Sequence, residues 1–147
     1  NLLPTDVEFH LTSAEHMSAI GDSTIDVVFS SNFLEHLPSK AAVDRVLDEI
    51  RRVLRSGGFY IALQPNIRFC YDRYWDFYDH HVALSDRSCK EAFIQAGLDV
   101  VTLIPRFLPF TTKSHLPTHP ALVRIYLAFP WLWHFLGEQF LIVGTKK

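Results

Sequence analysis

The sequence has 147 residues, of which 48% are hydrophobic, and its formal net charge is −2 at pH 7. That length is typical of one domain, and so large an apolar share supplies a core and excludes a disordered chain. Charged residues are scattered along the chain without a basic block, which argues against nucleic acid as a partner. We therefore predict a single domain over residues 1–147.

The cysteines and the first residues bear on the cellular compartment. The two cysteines, Cys70 and Cys89, form neither a CxxC motif nor a zinc-type spacing with histidine. We interpret them as reduced thiols of a cytoplasmic protein. Pro4 and Asp6 interrupt the first apolar residues, so no signal peptide is predicted. The chain begins with Asn1 rather than Met, as proteolysis or a longer parent protein would explain.

The N-terminal part of the chain is predicted to contain two strands. Residues 7–11 are a short apolar-leaning run, predicted as the first strand, and a loop follows over residues 12–24. Residues 25–30 are rich in β-branched side chains and lack regular polar alternation. That pattern is typical of a parallel strand covered on both faces.

A helix and a third strand follow. Ser39 is predicted as the helix N-cap, because apolar residues recur behind it at helical spacing and charged residues fill the other side. Gly57 and Gly58 are expected to end this helix, since glycine readily adopts the backbone conformation found at helix C-termini. Residues 59–63 are the predicted third strand, which stops at Pro65.

The second half begins with an aromatic, irregular segment over residues 66–84. A second helix is predicted to begin after Ser85 and to end at Gly97. Leu98–Ile104 is the predicted fourth strand, and a loop with several prolines occupies residues 107–120.

Residues 121–136 are strongly apolar and aromatic, and we predict two short helices that break at Pro130. A membrane-spanning helix needs about 20 uninterrupted apolar residues, so no span is predicted. The stretch could pack against the sheet or form a lid over a hydrophobic substrate. Residues 139–145 are the predicted last strand.

Strands that alternate with helix-sized connections predict an α/β fold whose sheet is mostly parallel. The last strand follows a longer, irregular connection, which leaves an antiparallel course open for it. Open α/β sheets bind ligands outside the carboxyl ends of their strands. The polar residues that follow the strand over residues 25–30 lie at such an end, so a binding site is expected there.

Four stretches, in this order, resemble the class I S-adenosylmethionine-dependent methyltransferases, in particular the broad small-molecule group. They are VEFHLTSAEHM, STIDVVFSSNFLEHL, LDEIRRVLRSGGFYIALQPN and DHHVALSDRSCKEAFIQAGLDVV. The resemblance implies a Rossmann-like sheet with helices on both faces and an antiparallel final strand. It also implies S-adenosylmethionine as cofactor and a small molecule as substrate, and the aromatic stretch over residues 121–136 favours a hydrophobic one.

The resemblance also implies which residues lie beside the cofactor. The loop that carries Ser13 and Ala14 corresponds to the family loop that runs beside the adenine. The residues that end the strand over 25–30 correspond to those that pass the methionine part of the cofactor; these are Ser31, Asn32 and Phe33.

Glu35 and His36 follow this polar stop directly. By the resemblance, His36 begins the connection toward the substrate side and is a candidate catalytic residue. Both side chains could instead do no more than cap the following turn.

The segment over residues 66–84 corresponds to the substrate-facing part of the family fold. We predict Asn66 and Tyr78 as substrate-facing and His81 as a second catalytic candidate, since imidazole can accept a proton near neutral pH. Adjacent histidines in an extended segment point in opposite directions, so His81 is favoured over His80. A surface loop that packs aromatic residues over the sheet is the alternative. No metal site is predicted, because these residues lack the spacing of an HExxH motif.

The family's glycine-rich cofactor loop has no counterpart among the six glycines, none of which forms a GxG motif. An acidic residue that ends the family's second strand and binds the ribose hydroxyls is missing too. Roughly 60 residues of the family pattern, two βα units, are not in the sequence. Each hydrogen bond to a charged group contributes about 1.5–3 kcal/mol, so we expect cofactor affinity no better than millimolar.

In the family sheet the strand order is 3-2-1-4-5-7-6, so this chain lacks the strands that separate residues 7–11 from residues 25–30. An open apolar edge is an aggregation hazard. We therefore expect either that residues 7–11 pair directly with residues 25–30, or that another chain covers this edge, as a second copy would in a homodimer.

Two functions from different classes remain open. The chain could be the C-terminal portion of a methyltransferase, inactive or weakly cofactor-binding by itself. Alternatively, it could be a non-catalytic remnant of the fold that acts as a dimeric binding module.

Overall fold

A computed structural model describes residues 7–110 and 119–147. Four strands in these ranges form one sheet: β1 (Ile25–Ser31), β2 (Leu54–Pro65), β3 (Leu98–Ile104) and β4 (Gln139–Lys146). Their order is β1-β2-β4-β3, with β1 parallel to β2 and β4 antiparallel to both of its neighbours. Three strands thus run in one direction and the last runs against them, which confirms the α/β prediction and the antiparallel final strand.

In the described ranges the strands are connected by five α-helices: α1 (Lys40–Val53), α2 (Ile67–Cys70), α3 (Asp86–Gln95), α4 (Pro120–Ala128) and α5 (Trp131–Leu136). The predicted cap at Ser39 and the predicted start of a helix at Ser85 are both confirmed. The Ser39 hydroxyl accepts a hydrogen bond from the amide of Ala42 at the start of α1. Ser85 and Ser88 form a capping box at the start of α3, which satisfies amides that the first turn of a helix leaves unpaired.

Helices α1 and α3 pack on one face of the sheet and form the core with it. The side chains that the sheet contributes to this face are fully buried and alternate along β2 and β4; they are Tyr60, Ala62, Phe140 and Ile142. Phe93 of α3 stacks on the Tyr60 ring with their centroids 5.0 Å apart. Gly144 lies directly beneath the Phe93 ring, where a Cβ atom would be 2.7 Å from Phe93 Cδ1.

The opposite face of the sheet is partly open in the described parts of the chain. Val27 and Phe29 of β1 expose 50% and 64% of their surface there, and Phe59 of β2 exposes 42%. The prediction that β1 is covered on both faces is therefore wrong. The two faces of the sheet were expected to be covered by helices, but α1 and α3 lie on the same face. The β-branched residues of β1 are therefore not a sign that both of its faces are buried within this chain.

β1 is the outermost strand of the sheet, and residues 7–11 are irregular. Phe9 and Leu11 expose 81% and 94% of their surface, so the predicted first strand and its pairing with β1 are both wrong. Without a neighbouring strand to accept its backbone hydrogen bonds, a five-residue apolar run has nothing to hold it extended. Cover of the β1 edge by another chain stays a prediction.

The two consecutive glycines lie inside β2 rather than at the end of α1, which corrects the predicted helix boundary. α1 ends at Val53, and the β1–β2 register shifts between the Ile25–Leu54 and Val27–Phe59 pairs. Gly57 adopts a positive φ of 76° in this bulge. The bulge lets the chain turn from the helix directly into the sheet.

The segment before β1 is tied to the outer side of α1. Arg52 donates to the backbone oxygens of Ile20 and Met17 at 3.0 and 2.9 Å. Glu49 accepts a hydrogen bond from the Met17 amide at 2.7 Å and pairs with Arg52. The hydrogen bond from Arg52 lowers the pKa of Glu49 to about 2.

α4 and α5 are separated at Pro130, as predicted, and neither helix has a buried residue. None of the helices in the described ranges combines the length and the apolar character that crossing a membrane requires. Cys70 and Cys89 are both free and buried, which agrees with the prediction of reduced thiols.

Candidate functional site

The carboxyl ends of β1 and β2 lie side by side because the two strands are parallel. Just past β1, Asn32 adopts a left-handed backbone conformation with φ of 47°, which asparagine tolerates better than most residues. Its amide donates to the Leu63 oxygen of β2 at 2.9 Å. This residue turns the chain away from the sheet and into the 3-10 turn Leu34–His36.

Two polar groups at these strand ends have no hydrogen-bond partner within the protein. The buried side-chain oxygen Oδ1 of Asn32 is one of them. Gln64 is fully buried, and its Oε1 lies 3.4 Å from the amide of Phe33 while its Nε2 is unpaired. A buried polar group without a partner costs about 1–3 kcal/mol, so the strand ends offer one acceptor and one donor to a ligand.

Glu35 and His36 lie in the 3-10 turn beyond Asn32. Glu35 is 1% exposed, and neither of its carboxylate oxygens has a hydrogen-bond partner. Burial raises the pKa of this carboxyl group to about 7. His36 Nε2 lies 3.8 Å from Glu35 Oε1, and His36 Nδ1 lies 3.0 Å from the backbone oxygen of Asp79.

His80 completes this group of side chains. Its ring meets the His36 ring edge-on with centroids 5.0 Å apart, and it stacks on Phe77 at 4.9 Å. The residue is 7% exposed and its Nδ1 has no partner. Burial, followed by the nearby charge of His36, lowers the pKa of His80, so its imidazole is neutral near pH 7.

The structure brings His80 beside His36, whereas the sequence favoured His81. The amides of His81 and Val82 both donate to the Glu35 oxygen, at 2.8 and 3.1 Å. This backbone pairing turns the His80 side chain inward and leaves the His81 side chain exposed. The sequence predicted that the two histidines point in opposite directions. Which of them points inward depends on the contact with Glu35, a residue distant in the sequence.

Asn66 connects the end of β2 with α3 and with the loop after β3 through its side-chain hydrogen bonds. It is fully buried, and its Nδ2 donates to Asp86 Oδ1 and to the Pro105 oxygen, both at 2.9 Å. Its Oδ1 accepts from the Arg68 amide and caps α2. Tyr78, the other predicted substrate-facing residue, is fully exposed.

Ser13 and Ala14 lie in a turn closed by a hydrogen bond from the His16 amide to the Ser13 oxygen. Ala14 packs against the core beside α1, and Glu15 pairs with Arg45 of the same helix. The contacts of this turn therefore run to α1. Among the predicted site residues, four lie together at the carboxyl end of β1 and in the turn that follows it: Ser31, Asn32, Phe33 and His36.

A shallow groove of about 540 Å³ lies elsewhere, between the end of β3 and α5. Two of its three arginines are already engaged. Arg68 pairs with Asp86, and Arg106 donates to the backbone oxygens of Gly137 and Phe135. The groove is therefore mainly a packing junction between α5 and the loop after β3.

Comparisons with known proteins bear on this arrangement. A family model described as a methyltransferase domain matches residues 1–62, which include β1 and α1. A chain from the complex of the Haloferax volcanii Trm112 methyltransferase activator with a methyltransferase is similar over 97% of this chain, with 17% identity and a TM-score of 0.68. An S-adenosylmethionine-dependent methyltransferase from Archaeoglobus fulgidus matches 92% of it, with 14% identity and a TM-score of 0.65. The fold is that of a class I S-adenosylmethionine-dependent methyltransferase.

A geranyl diphosphate methyltransferase solved with S-adenosylmethionine is also similar, with 18% identity, a TM-score of 0.60 and 94% of this chain covered. No curated protein sequence matches the chain. The chain spans 62%, 66% and 57% of the lengths of these three structures. The observed order β1-β2-β4-β3 corresponds to the last four positions, 4-5-7-6, of the methyltransferase sheet, so the resemblance seen in the sequence is confirmed.

Sequence reasoning did not select two buried polar residues near this edge of the sheet, His80 and Gln64. Gln64 is the one polar residue before Pro65 in an otherwise apolar strand, and that interruption could have indicated it. His80 carried an equal signal to His81, and only the pairing of its neighbours with Glu35 separates them.

Proposed function

We propose that this chain forms the acceptor-side part of an S-adenosylmethionine-dependent methyltransferase that acts on a small molecule. The observation that carries the proposal is the polar break at the end of β1. There Asn32 adopts a left-handed conformation and leaves a buried oxygen unpaired. This break lies at the carboxyl edge of the parallel strands, where open α/β sheets bind ligands.

The residues at this edge suit the methionine part of the cofactor. The unpaired Oδ1 of Asn32 is an acceptor for the cofactor's amino group, and the exposed Ser31 offers a hydroxyl beside it. Phe33, half-buried, supplies an apolar wall. The cofactor, when bound, supplies a methyl group already activated on a sulfonium. The protein's task is then to hold an acceptor in line with it.

Proton removal from the acceptor falls to the histidines predicted for it. His81 has an exposed side chain, and its backbone is fixed by the hydrogen bond to Glu35. His36 is partly exposed, and its Nδ1 contact with Asp79 orients the ring. Histidine is the side chain that most often serves as a general base in enzymes.

The acceptor is proposed to be hydrophobic. Large apolar side chains of α5 are exposed, Trp131 at 62% and Phe135 at 73%. One structural neighbour is named for methylating geranyl diphosphate, a molecule with an apolar chain.

The two free, buried thiols fit a cytoplasmic setting.

Saturation-transfer NMR with S-adenosylmethionine tests this proposal and suits the millimolar affinity expected without a glycine-rich loop. Asn32→Gly keeps the left-handed backbone and removes the acceptor oxygen, so the affinity should fall about three-fold or more. Ser23→Gly is the matched control, because Ser23 also has a positive φ, 57°, and lies before β1. Equal affinity of the Asn32→Gly variant and the parent would contradict the proposal.

The second candidate, a dimeric binding module, is favoured by one observation. β1 has no neighbour on its outer side in the described ranges, and Phe29 beside that edge is 64% exposed. Sedimentation velocity over a range of concentrations separates the candidates. A module of this kind forms dimers without cofactor and shows no saturation transfer from S-adenosylmethionine at millimolar concentration.

A further inference from the structure

We propose that Glu35, His36 and His80 bind a divalent transition-metal ion, with Zn²⁺ as the best match. One ligand atom from each of these side chains lies within 4.8 Å of the others. No metal site is predicted from the sequence, because these residues lack the spacing of an HExxH motif and Glu35 and His80 are distant in the chain. Folding brings them together at the edge of the sheet beyond β1.

The burial of the Glu35 and His80 side chains is the second observation that points to a bound ion. Glu35 is 1% exposed and His80 7% exposed. Both carboxylate oxygens of Glu35 and the Nδ1 atom of His80 have no hydrogen-bond partner within the protein. A folded chain rarely leaves three such atoms unpaired in one place, and a bound cation would satisfy them together.

His36 is oriented as a metal-binding histidine should be. Its Nδ1 lies 3.0 Å from the backbone oxygen of Asp79 and 3.2 Å from Asp79 Oδ2. Those contacts place the proton on Nδ1 and leave the lone pair on Nε2, which lies 3.8 Å from Glu35 Oε1. A histidine ligand commonly donates its second ring N–H to an oxygen in this way.

The backbone holds the two parts of the site together. The amides of His81 and Val82 donate to the Glu35 oxygen, so the segment that carries His80 is fastened to the turn that carries Glu35 and His36. Ligand atoms around Zn²⁺ stand roughly 3.3 Å apart, given bond lengths of about 2.0–2.2 Å. Because the ligand atoms lie within 4.8 Å of one another, they must approach by up to about 1.5 Å when an ion binds.

The ligand chemistry selects the metal. Two imidazoles and one carboxylate suit Zn²⁺, Co²⁺ or Fe²⁺, whereas Mg²⁺ and Ca²⁺ prefer sites made of oxygens. His36 is about one-third exposed, so one side of the site is open to a further ligand from solvent. An ion bound here occupies the lone pair of His36, so of the two histidines proposed for proton removal only His81 then serves as the proton acceptor.

Titration with Co²⁺ tests the site on the full chain after treatment with a chelator, in the absence of S-adenosylmethionine. We expect visible absorption bands of a four- or five-coordinate Co²⁺ ion, one equivalent bound, and displacement by Zn²⁺. Glu35→Gln and His80→Ala should each weaken Co²⁺ binding about ten-fold or more. His134→Ala is the control, because His134 is exposed on α5, and it should leave the affinity unchanged.

Absence of the bands in the folded parent protein would overturn the proposal, as would Co²⁺ binding that survives both Glu35→Gln and His80→Ala. Circular dichroism checks the fold of each variant. If His80→Ala unfolds, Glu35→Gln, which keeps the shape of the side chain, decides alone. Because the cofactor takes no part in this titration, its outcome is independent of the saturation-transfer experiment on Asn32.

Discussion

The two faces of the sheet differ sharply although the same strands build both. Tyr60 and Phe140 point toward α1 and α3 and are fully buried, while Phe29 and Phe59 point the other way and are 64% and 42% exposed. Both faces are apolar, so composition alone does not distinguish them. A large exposed apolar patch marks a surface that normally has a partner, which makes the open face the incomplete side of the domain.

The largest expected difference between the faces is in the free energy of unfolding after matched truncations. Phe93→Ala removes a fully buried ring from the covered face and should destabilise the fold by about 3–5 kcal/mol. Phe29→Ala on the open face should cost less than about 0.5 kcal/mol in the monomer. Urea unfolding followed by circular dichroism measures both. Similar losses in the two variants would mean that the open face is packed in solution.

Overpacking sharpens the same comparison. Gly144→Ala would place a methyl group 2.7 Å from Phe93 Cδ1, and we expect a loss of about 1–3 kcal/mol. Val101→Ala is the control, because Val101 lies in β3 and is 54% exposed. Thermal unfolding of the two variants provides the measurement, and a Gly144→Ala protein as stable as the parent would show that the α3–sheet packing is looser than described.

The outer side of α1 is predicted to respond to pH. Glu49 has its pKa lowered from 4.5 to about 2 by Arg52, so its carboxylate stabilises the folded state above pH 4.5 and this contribution is lost as the pH falls toward 2. Glu49→Gln should cost about 1–2 kcal/mol at pH 7 and flatten the pH dependence between these values. Denaturant unfolding at pH 7, 4 and 3 measures it. An unchanged slope in the variant would contradict this role for Glu49.

The smallest expected effect on folding, and the most specific for association, comes from Phe29→Asp. A charge in the middle of the open face should leave monomer stability nearly unchanged, because the side chain is already exposed. If a second copy covers this face, sedimentation velocity should show dimers of the parent and monomers of the variant. A parent protein that stays monomeric at every concentration excludes that cover.

Local signals were enough to predict most elements of the fold. The caps at Ser39 and Ser85 and the bounds of Leu98–Ile104 agree with the structure because side chains near in sequence determine them. Gly57 and Gly58 were assigned to the helix end, since a C-terminal turn and a bulge use the same glycine conformations. The strand expected over residues 7–11 failed because a strand requires a neighbour, which no local pattern supplies.

The site was predictable only as a region. The polar break after residues 25–30 indicated the carboxyl edge of β1, where Asn32 leaves an oxygen unpaired, and His36 is a predicted site residue there. Asn66 had the residue type and position of a pocket wall, yet its polar atoms are used within the protein. Glu35, His36 and His80 meet through the backbone pairing of residue 35 with residues 81 and 82, a contact between distant segments.

Backbone chemical-shift mapping tests most directly the claim that the end of β1 is the cofactor wall. In a ¹⁵N-labelled sample, S-adenosylmethionine at millimolar concentration should shift the amides of Ser31, Asn32 and Phe33 most strongly. The amides of α4 and α5 should stay in place. Shifts that centre on another part of the chain, or no shifts at millimolar ligand, would contradict the account.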